Sequence, residues 1–504
     1  MVYHDAKVTT YIYIYCNDSS FLCTDSARKQ VTPNLTNNRI CRFVFYWITC
    51  HRFSFHNRLR ATLKKNVLIL LVLFLGYCCA QGRQVNPGFQ CAGRTPDIRL
   101  KLNHPDGIYA KGDTVYVLGC CLDGGADSLK MEIRVNGHSR SFSSVCLEKE
   151  YCVIYSEVCD SARWVSVLVG NGETILDVGY VIEPKSFMPG YRPPSDLQRF
   201  WKKQIRRMRK CPMEVKIDTV KTPEQFENRF LCLHIELSMH QGRSVNAFVS
   251  IPSNAAGGSL PIRIHTHGAT DITSKSTQSS LKKACIQASY GAIGVDVNAH
   301  GIKDGAEEEY YRNLEEGELK DYPHQELKNR ESWYFRLMYL RLVRLVDYLV
   351  TLPQWDGKTI LVTGHSQGGG QALALGGIDS RITDIEADEP ALCDLGGVRA
   401  HRIGGWPFSR RRQTVPASRI AKRILPYYDA ALLAKYYHGN LVVQVGLADY
   451  VCPATSVYAA YNNSGASSKS IIPFRSRHHT DVVWSDRDEF EHIKLLFARS
   501  VANN

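Results

Sequence analysis

The chain has 504 residues, with 62 Lys+Arg against 49 Asp+Glu, 44% hydrophobic residues and 10% aromatics, which excludes wholesale disorder and collagen-like fibre. At roughly 150 residues per domain, the length predicts two or three domains, each able to bury its own core. The net charge of +13 is unevenly placed: residues 1–80 hold ten Lys/Arg and three Asp/Glu, so +7 lies there and +6 is spread over the other 424 residues, and no nucleic-acid partner is expected.

The most hydrophobic stretch is Val67 to Ala80, VLILLVLFLGYCCA, and it follows Arg58, Arg60, Lys64 and Lys65. Basic residues, an apolar run and then small residues before Gln81 form the pattern of a secretory signal peptide cleaved near Ala80. The run is short for a membrane-spanning helix, which needs about 20 apolar residues. A signal should open a chain, yet residues 1–65 come first and show no sustained period of 3.6 or 2. Two readings follow: 1–65 is an extension outside the natural product and 66–80 a signal peptide, or 66–80 is a signal-anchor. Both send the remainder into an oxidising compartment, so a secreted or extracellular protein is expected, with a membrane contact only under the anchor reading.

Cysteine usage suits that compartment. Of eleven cysteines beyond Ala80, Cys91, Cys120, Cys121, Cys146, Cys152 and Cys159 are clustered, which predicts a disulfide-stapled small domain of undeducible pairing. A zinc site is the weaker alternative, since that stretch has no CxxC pair and only His104 and His138 nearby. Cys211 and Cys232 flank a predicted strand pair and are candidates for a further bridge, whereas Cys285, Cys393 and Cys452 read as unpaired. Asn462-Asn463-Ser464 is a candidate glycosylation sequon, as are those at Asn17 and Asn34.

From about 91 to 185, segments such as DTVYVLGCCL, KMEIRVNGHS, CVIYSEVC and WVSVLVGNG alternate apolar and polar residues between Asn-Gly or Gly-rich turns. They predict a small all-β sandwich domain over 86–185. Prolines at 184, 189, 193 and 194 mark a break, after which Ser195 and Gln198 suggest a capping box for a helix with Leu197, Trp201, Ile205 and Met208 as its apolar stripe. Its basic face, from Lys202 to Lys210, reads as solvated rather than as an anion site.

From about 215 onward, strands and helices alternate, within a domain expected over 190–504. LPIRIHTHG and GAIGVDVNAHG read as buried strands, WYFRLMYLRLVRLVDYLV as a long core helix, and KTILVTGHSQGGGQALALGG as strand, sharp turn, helix. NLVVQVGLAD and KSIIPF supply two more strands and EFEHIKLLFARSV a terminal helix. The alternation predicts an α/β fold with a mostly parallel central sheet.

Gly364-His365-Ser366-Gln367-Gly368 is a G-x-S-x-G nucleophile elbow, in which the serine needs a strained turn and the glycines make room for the neighbouring backbone. The acid and base should follow in that order. Asp449, just after LVVQVG, is the candidate acid; Asp481 and Asp486 are poorer substitutes because they come after the histidines. His478 and His479 follow SIIPF, and only one of them can serve as base; counting along the strand from Lys469 favours His479. The oxyanion hole is expected from the backbone N–H groups of Gln367 and Ala269. Gly268 and His267 belong beside the substrate, with His267 more an orienting group than a reacting one. The acidic segment Asp304–Glu331 is either a rim over the site or, more simply, a solvated insertion.

At these residues the chain resembles the acetyl xylan esterase / cephalosporin-C deacetylase family, carbohydrate esterase family seven. GHSQGGGQALAL resembles that family's Ser-Gln-Gly-Gly-Gly helix start, PPSDLQRFWKKQI its opening Pro-x-Asp-Phe-x-x-Phe-Trp helix, EPALCDLGG its Pro-Phe-Leu-Cys-Asp segment, and DYVCPATSVYAAYN its Asp-x-Val-Cys-Pro-Pro-x-Thr stretch. The resemblance covers roughly 190–500. It implies an α/β-hydrolase with Ser366 as nucleophile, Asp449 as acid and a histidine at 478 or 479. Two departures stand out: Ala269 where the family has an aromatic, and Asp296-Val297-Asn298-Ala299-His300-Gly301 where it has Asp-x-Arg-Gly-Gln-Gly.

Together these readings predict a secreted serine esterase removing acetyl groups from carbohydrate or small ester substrates, with no metal or cofactor. The alternatives are a broader carboxylesterase or peptidase with the same residues, or a catalytically silent protein whose sandwich binds glycan. The complete Ser/Asp/His set argues against the silent reading.

Overall fold

Period-two patterning between turns builds the first layer of the described chain. The computed structural model describes residues 97–479 apart from 124–125, 172–174, 240, 326 and 410–418. Strands β1 (Ile98–Leu102), β3 (Thr114–Cys121) and β6 (Cys152–Val158) form one antiparallel sheet. Strands β2 (Ile108–Tyr109), β4 (Ala126–Val135), β5 (His138–Leu147), β7 (Arg163–Gly170) and β8 (Ile175–Ile182) form the other, ordered β2-β8-β7-β4-β5. Asn136-Gly137, both at positive φ, turns β4 into β5. Val115, Val117, Val165, Val167, Val169 and Tyr180 fill the space between the sheets.

The alternating pattern of WVSVLVGNG predicts one wet face, but nearly all of β7 is buried. Val165, Val167 and Val169 enter the sandwich core, whereas Trp164 joins the core of the layer that follows. Asp177, Gly179 and Val181 occupy alternate positions of β8, hence one face. Of these, Gly179 reaches the second layer, its N–H donating to the Arg475 carbonyl (2.7 Å), while the Val181 N–H stays within the sandwich on the Gly107 carbonyl (2.9 Å); from β7, Trp164 Nε1 donates to the Leu447 carbonyl (2.7 Å), and the Trp164 and Tyr450 rings lie 5.2 Å apart. Sandwich and second layer accordingly belong to one compact unit, Thr95–Asn504.

The second layer is a nine-stranded sheet made of β9 (Val215–Thr219), β10 (Phe230–Leu237), β11 (Val245–Pro252), β12 (Leu260–Thr266), β13 (Ile293–Val297), β14 (Trp355–His365), β15 (Asp384–Asp388), β16 (Asn440–Gly446) and β17 (Ser468–Phe474). Its order is β17-β16-β15-β14-β12-β13-β11-β10-β9, parallel from β13 to β17 and antiparallel at the β9 end. The described helices of at least six residues are α1 (Leu197–Arg209), α2 (Leu281–Ala288), α3 (Glu308–Glu316), α4 (Phe335–Leu349), α5 (Gln367–Ile378), α6 (Arg419–Ile424) and α7 (Ala454–Asn463). Among the described residues, no helix is long and apolar enough to cross a membrane.

Several expectations are corrected. Helix α1 begins at Leu197 with Asp196 at its N-cap, so the Ser195/Gln198 capping box is not used; the Asp196 carboxylate instead accepts from Arg330 (2.7 Å) and the Tyr427 hydroxyl. The ten described cysteines are free, so the disulfide staple and the Cys211–Cys232 bridge are absent among them. Cys120, Cys121 and Cys159 are buried as small apolar groups, and the Cys152 thiol donates to the Gly119 carbonyl. Cys232 lies beside Cys285 rather than Cys211, sulfur to sulfur 3.7 Å. The Asn462 side-chain nitrogen donates to the Pro184 and Phe187 carbonyls, both at 2.8 Å, so the glycosylation expectation at 462 meets an amide already engaged in joining α7 to the linker. Cys91, Asn17, Asn34, the apolar run 67–80, Asp481, Asp486 and the expected terminal helix lie outside the described residues.

A Cβ at position 179 would overlap the Leu447 carbonyl. Gly179→Ala is therefore expected to destabilise the protein by about 1–3 kcal/mol through overpacking. Calorimetry reads this as a lower thermal midpoint, and an unchanged midpoint would contradict the packing described.

Candidate active site

The turn between β14 and α5 is dictated by close approach. A Cβ at Gly364 or Gly368 would overlap the Thr266 backbone of the neighbouring strand. Between them Ser366 adopts φ 56° and ψ −121°, left-handed for a residue with a side chain. Its N–H donates to the Asp388 carbonyl (2.9 Å) and its carbonyl accepts from Ala391 (2.9 Å) and Gly370 (3.0 Å), which hold the strained turn. The Ser366 residue is 5% exposed.

The loops after β16 and β17 come to the same edge. Asp449 is fully buried; its Oδ1 accepts the N–H groups of Val451 (2.7 Å) and Cys452 (2.9 Å), and its Oδ2 accepts from His479 Nδ1 (2.8 Å). With Nδ1–H directed at a carboxylate, Nε2 is left as acceptor, and the Ser366 hydroxyl donates to it at 2.8 Å. His478, the other candidate base, points away: its Nε2 is 2.6 Å from Asp177 Oδ1 on β8, a contact that ties the loop bearing His479 to the sandwich.

The oxyanion-loop expectation falls beside this serine. A Cβ at Gly268 would lie 3.7 Å from Ser366 Cβ. Gln367 is the first residue of α5, so its N–H has no intrahelical acceptor. His267 uses both ring nitrogens on backbone: Nδ1–H donates to the Gly268 carbonyl (2.8 Å) and Nε2 accepts from Ala299 N–H (3.0 Å). It is thereby an orienting group. Burial pushes its imidazole down from 6.5 to about 4, and burial holds His300 well below the ordinary range too. The segment 296–301, where the expected arginine is missing, supports this loop, and the Arg341 and Arg243 guanidiniums bind its Ala299 (3.3 Å) and His300 (3.0 Å) carbonyls from outside. The acidic segment is not merely a solvated insertion: its buried Tyr322 donates to the Gln367 side chain (2.7 Å), and Asp304 accepts from Asn298 (3.1 Å).

Some neighbours were not anticipated. His365 Nδ1 donates to Asp388 Oδ2 (2.9 Å), Arg477 Nη2 donates to the same oxygen (2.9 Å), and the His365 and His479 rings lie 5.0 Å apart. Burial opposes ionisation of Asp388, yet the His365 hydrogen bond and the Arg477 charge hold it below its usual range. Fully buried Glu389 faces the same cluster. The signal available was the acid pair at the end of DIEADE, but a five-residue strand with three acids reads as loop until its partners are known. His365, Glu389 and His479 each offer a ligand atom within 4.8 Å of the others, as do Asp449, Cys452 and His479. A cation in the first group would have to displace two imidazole–carboxylate hydrogen bonds and approach the Arg477 guanidinium, which is 3.3 Å from Glu389.

A mostly parallel sheet with a strained serine at a strand–helix turn, and an acid and a histidine arriving from later strands, defines an α/β-hydrolase. Residues 181–494 match the acetyl xylan esterase (AXE1) family, carbohydrate esterase family seven, and the chain belongs to it as a carboxylic ester hydrolase. It is similar to acetyl esterase Axe7A of Xylanibacter ruminicola, 27% identical over 392 residues that span 75% of this chain and 86% of that protein. Among solved structures it resembles the acetyl xylan esterase from Paenibacillus sp. R4, with 21% identity, TM-score 0.52, and 62% of this chain and 98% of that one covered. It also resembles acetyl xylan esterase 1 from Thermoanaerobacterium sp. JW/SL YS485, with 20% identity, TM-score 0.50, and 62% and 96% covered.

A histidine pKa lowered on folding stabilises the fold above pH 6.5, and the contribution is lost as pH falls toward about 4. For His267 this amounts to about 3 kcal/mol across that window. Stability measured by denaturant titration should fall between pH 7 and pH 4, and His267→Asn should flatten the dependence; an equally steep profile in the variant would contradict the assignment.

Proposed function

We propose that this protein removes acetyl groups from carbohydrate esters through an acyl-enzyme on Ser366. The observation that carries the reading is the continuous hydrogen-bond relay from Ser366 Oγ through His479 to Asp449, at 2.8 Å for each step. In this reading His479 Nε2 takes the Ser366 proton as Oγ attacks the acetyl carbonyl, and Asp449 holds the Nδ1–H tautomer and stabilises the imidazolium. Charge that develops on the carbonyl oxygen is met by the N–H groups of Gln367 and Ala269. The proton passes from His479 to the departing sugar hydroxyl; water, deprotonated by His479, then releases acetate and restores Ser366.

Acetylated carbohydrate as the substrate class is supported by family membership and by the acetyl and acetyl xylan esterases among the relatives. We also propose export from the cell, supported by the basic and apolar pattern of Arg58 to Ala80; the N-terminal sequence of protein recovered from culture medium tests it, with a start near Gln81 expected.

Hydrolysis of p-nitrophenyl acetate should fall by about 10⁴-fold or more in Ser366→Ala. A fluorophosphonate probe should label Ser366, located by peptide mapping. Rates should drop sharply from acetyl to butyryl esters if the enzyme selects acetyl, because added methylenes have to be accommodated beside Ser366. Equal hydrolysis by wild type and Ser366→Ala would sink the proposal, and equal rates along the acyl series would replace it with a broader esterase.

A further inference from the structure

We infer that Glu389 is a second carboxylate directed at His479, a positioning residue that sets the charge behind the base; the inference rests on the reading of Ser366, His479 and Asp449 just given. Strand β15 runs between β14, which carries Ser366, and β16, which leads to Asp449, so the residue after its end is flanked by both. Glu389 occupies that place at φ 42°, with its N–H donating to the Gln444 carbonyl (3.0 Å). Its Oε2 lies 3.8 Å from His479 Nδ1 and 4.0 Å from His365 Nδ1, and it is completely buried. Room for it comes from Gly446 at the end of β16, where a Cβ would overlap Oε1.

The charges facing His479 come from every element around it. Asp449 follows β16, Asp388 ends β15 and Glu389 follows it, His365 ends β14, Arg477 belongs to the loop that bears His479, and Asp177 of β8 lies against the adjacent His478. Among the described residues of this cluster, Asp388 and Glu389 face the Arg477 guanidinium, and Asp449 faces His479 from the other side. Asp449 takes the imidazole hydrogen bond, while Glu389, a step farther, contributes charge rather than a direct bond. At such a distance and depth, a carboxylate favours the protonated ring, the form that arises as Ser366 attacks.

The test is the pH dependence of kcat/KM for p-nitrophenyl acetate, with rates counted per fluorophosphonate-labelled serine so that only folded enzyme is compared. Glu389→Gln keeps the shape and removes the charge. It should lower kcat by roughly tenfold with KM unchanged, and move the acid limb to lower pH by about half a unit or more, because the imidazolium loses a stabilising charge. Glu389→Asp, which keeps the charge at a greater distance, should restore most of the rate and shift the limb less; it is read on the same axes if the glutamine variant does not fold. In the Asp449→Asn background, adding Glu389→Gln should lower the residual rate further. Profiles of folded variants that superimpose on wild type would overturn the role of Glu389 alone, whereas a wild type without Ser366-dependent hydrolysis would overturn this inference together with the function it rests on.

Discussion

The imidazole of His479 is the point on which the structure converges. Its two nitrogens are shared between Ser366, 113 residues earlier, and Asp449, 30 residues earlier. Neither contact is local, so each depends on the sheet bringing the ends of β14, β16 and β17 to one edge, with β15 between the first two. The buried carboxylate of Asp449 is in turn held by two backbone N–H groups, which fixes the direction from which the ring is approached. Remove any of these strand ends and the relay has no local structure to fall back on.

The sandwich takes part in that convergence. Gly179 and Trp164 bond to the Arg475 and Leu447 carbonyls, and Asp177 pairs with His478. The loops that bear the acid and the histidine are thus buttressed from outside the sheet. A β-layer used this way is a mould for two loops, and the face that does the moulding is buried, which separates it from any surface that a freely tethered binding module would present.

Polar burial near the site follows one logic. His267 and His300 are kept neutral by burial and orient the loop beside Ser366, whereas the carboxylates behind His479 are matched to a guanidinium and to imidazoles. In the proposed mechanism, neutral groups on the side of the expected oxyanion leave its backbone donors unopposed, and charge is concentrated where a positive ring would form.

Much of this was legible in the chain. Alternation between turns marked the sandwich strands, and G-x-S-x-G after ILVT marked the turn at Ser366, because only glycine tolerates such close backbone approach. The helix periodicity of 333–350 marked α4 to within two residues at its start. Local residue pattern also narrowed the acid and base to a few positions, since strand ends and their order are encoded over short spans. Tertiary structure decided the rest. It turned His478 toward Asp177 and His479 toward Ser366, left the described cysteines unbridged, engaged the Asn462 amide, and carried Asp388, Glu389 and Arg477 behind the base. Those outcomes depend on which distant strands become neighbours, and a pairing between residues far apart in sequence leaves no periodic trace in either segment.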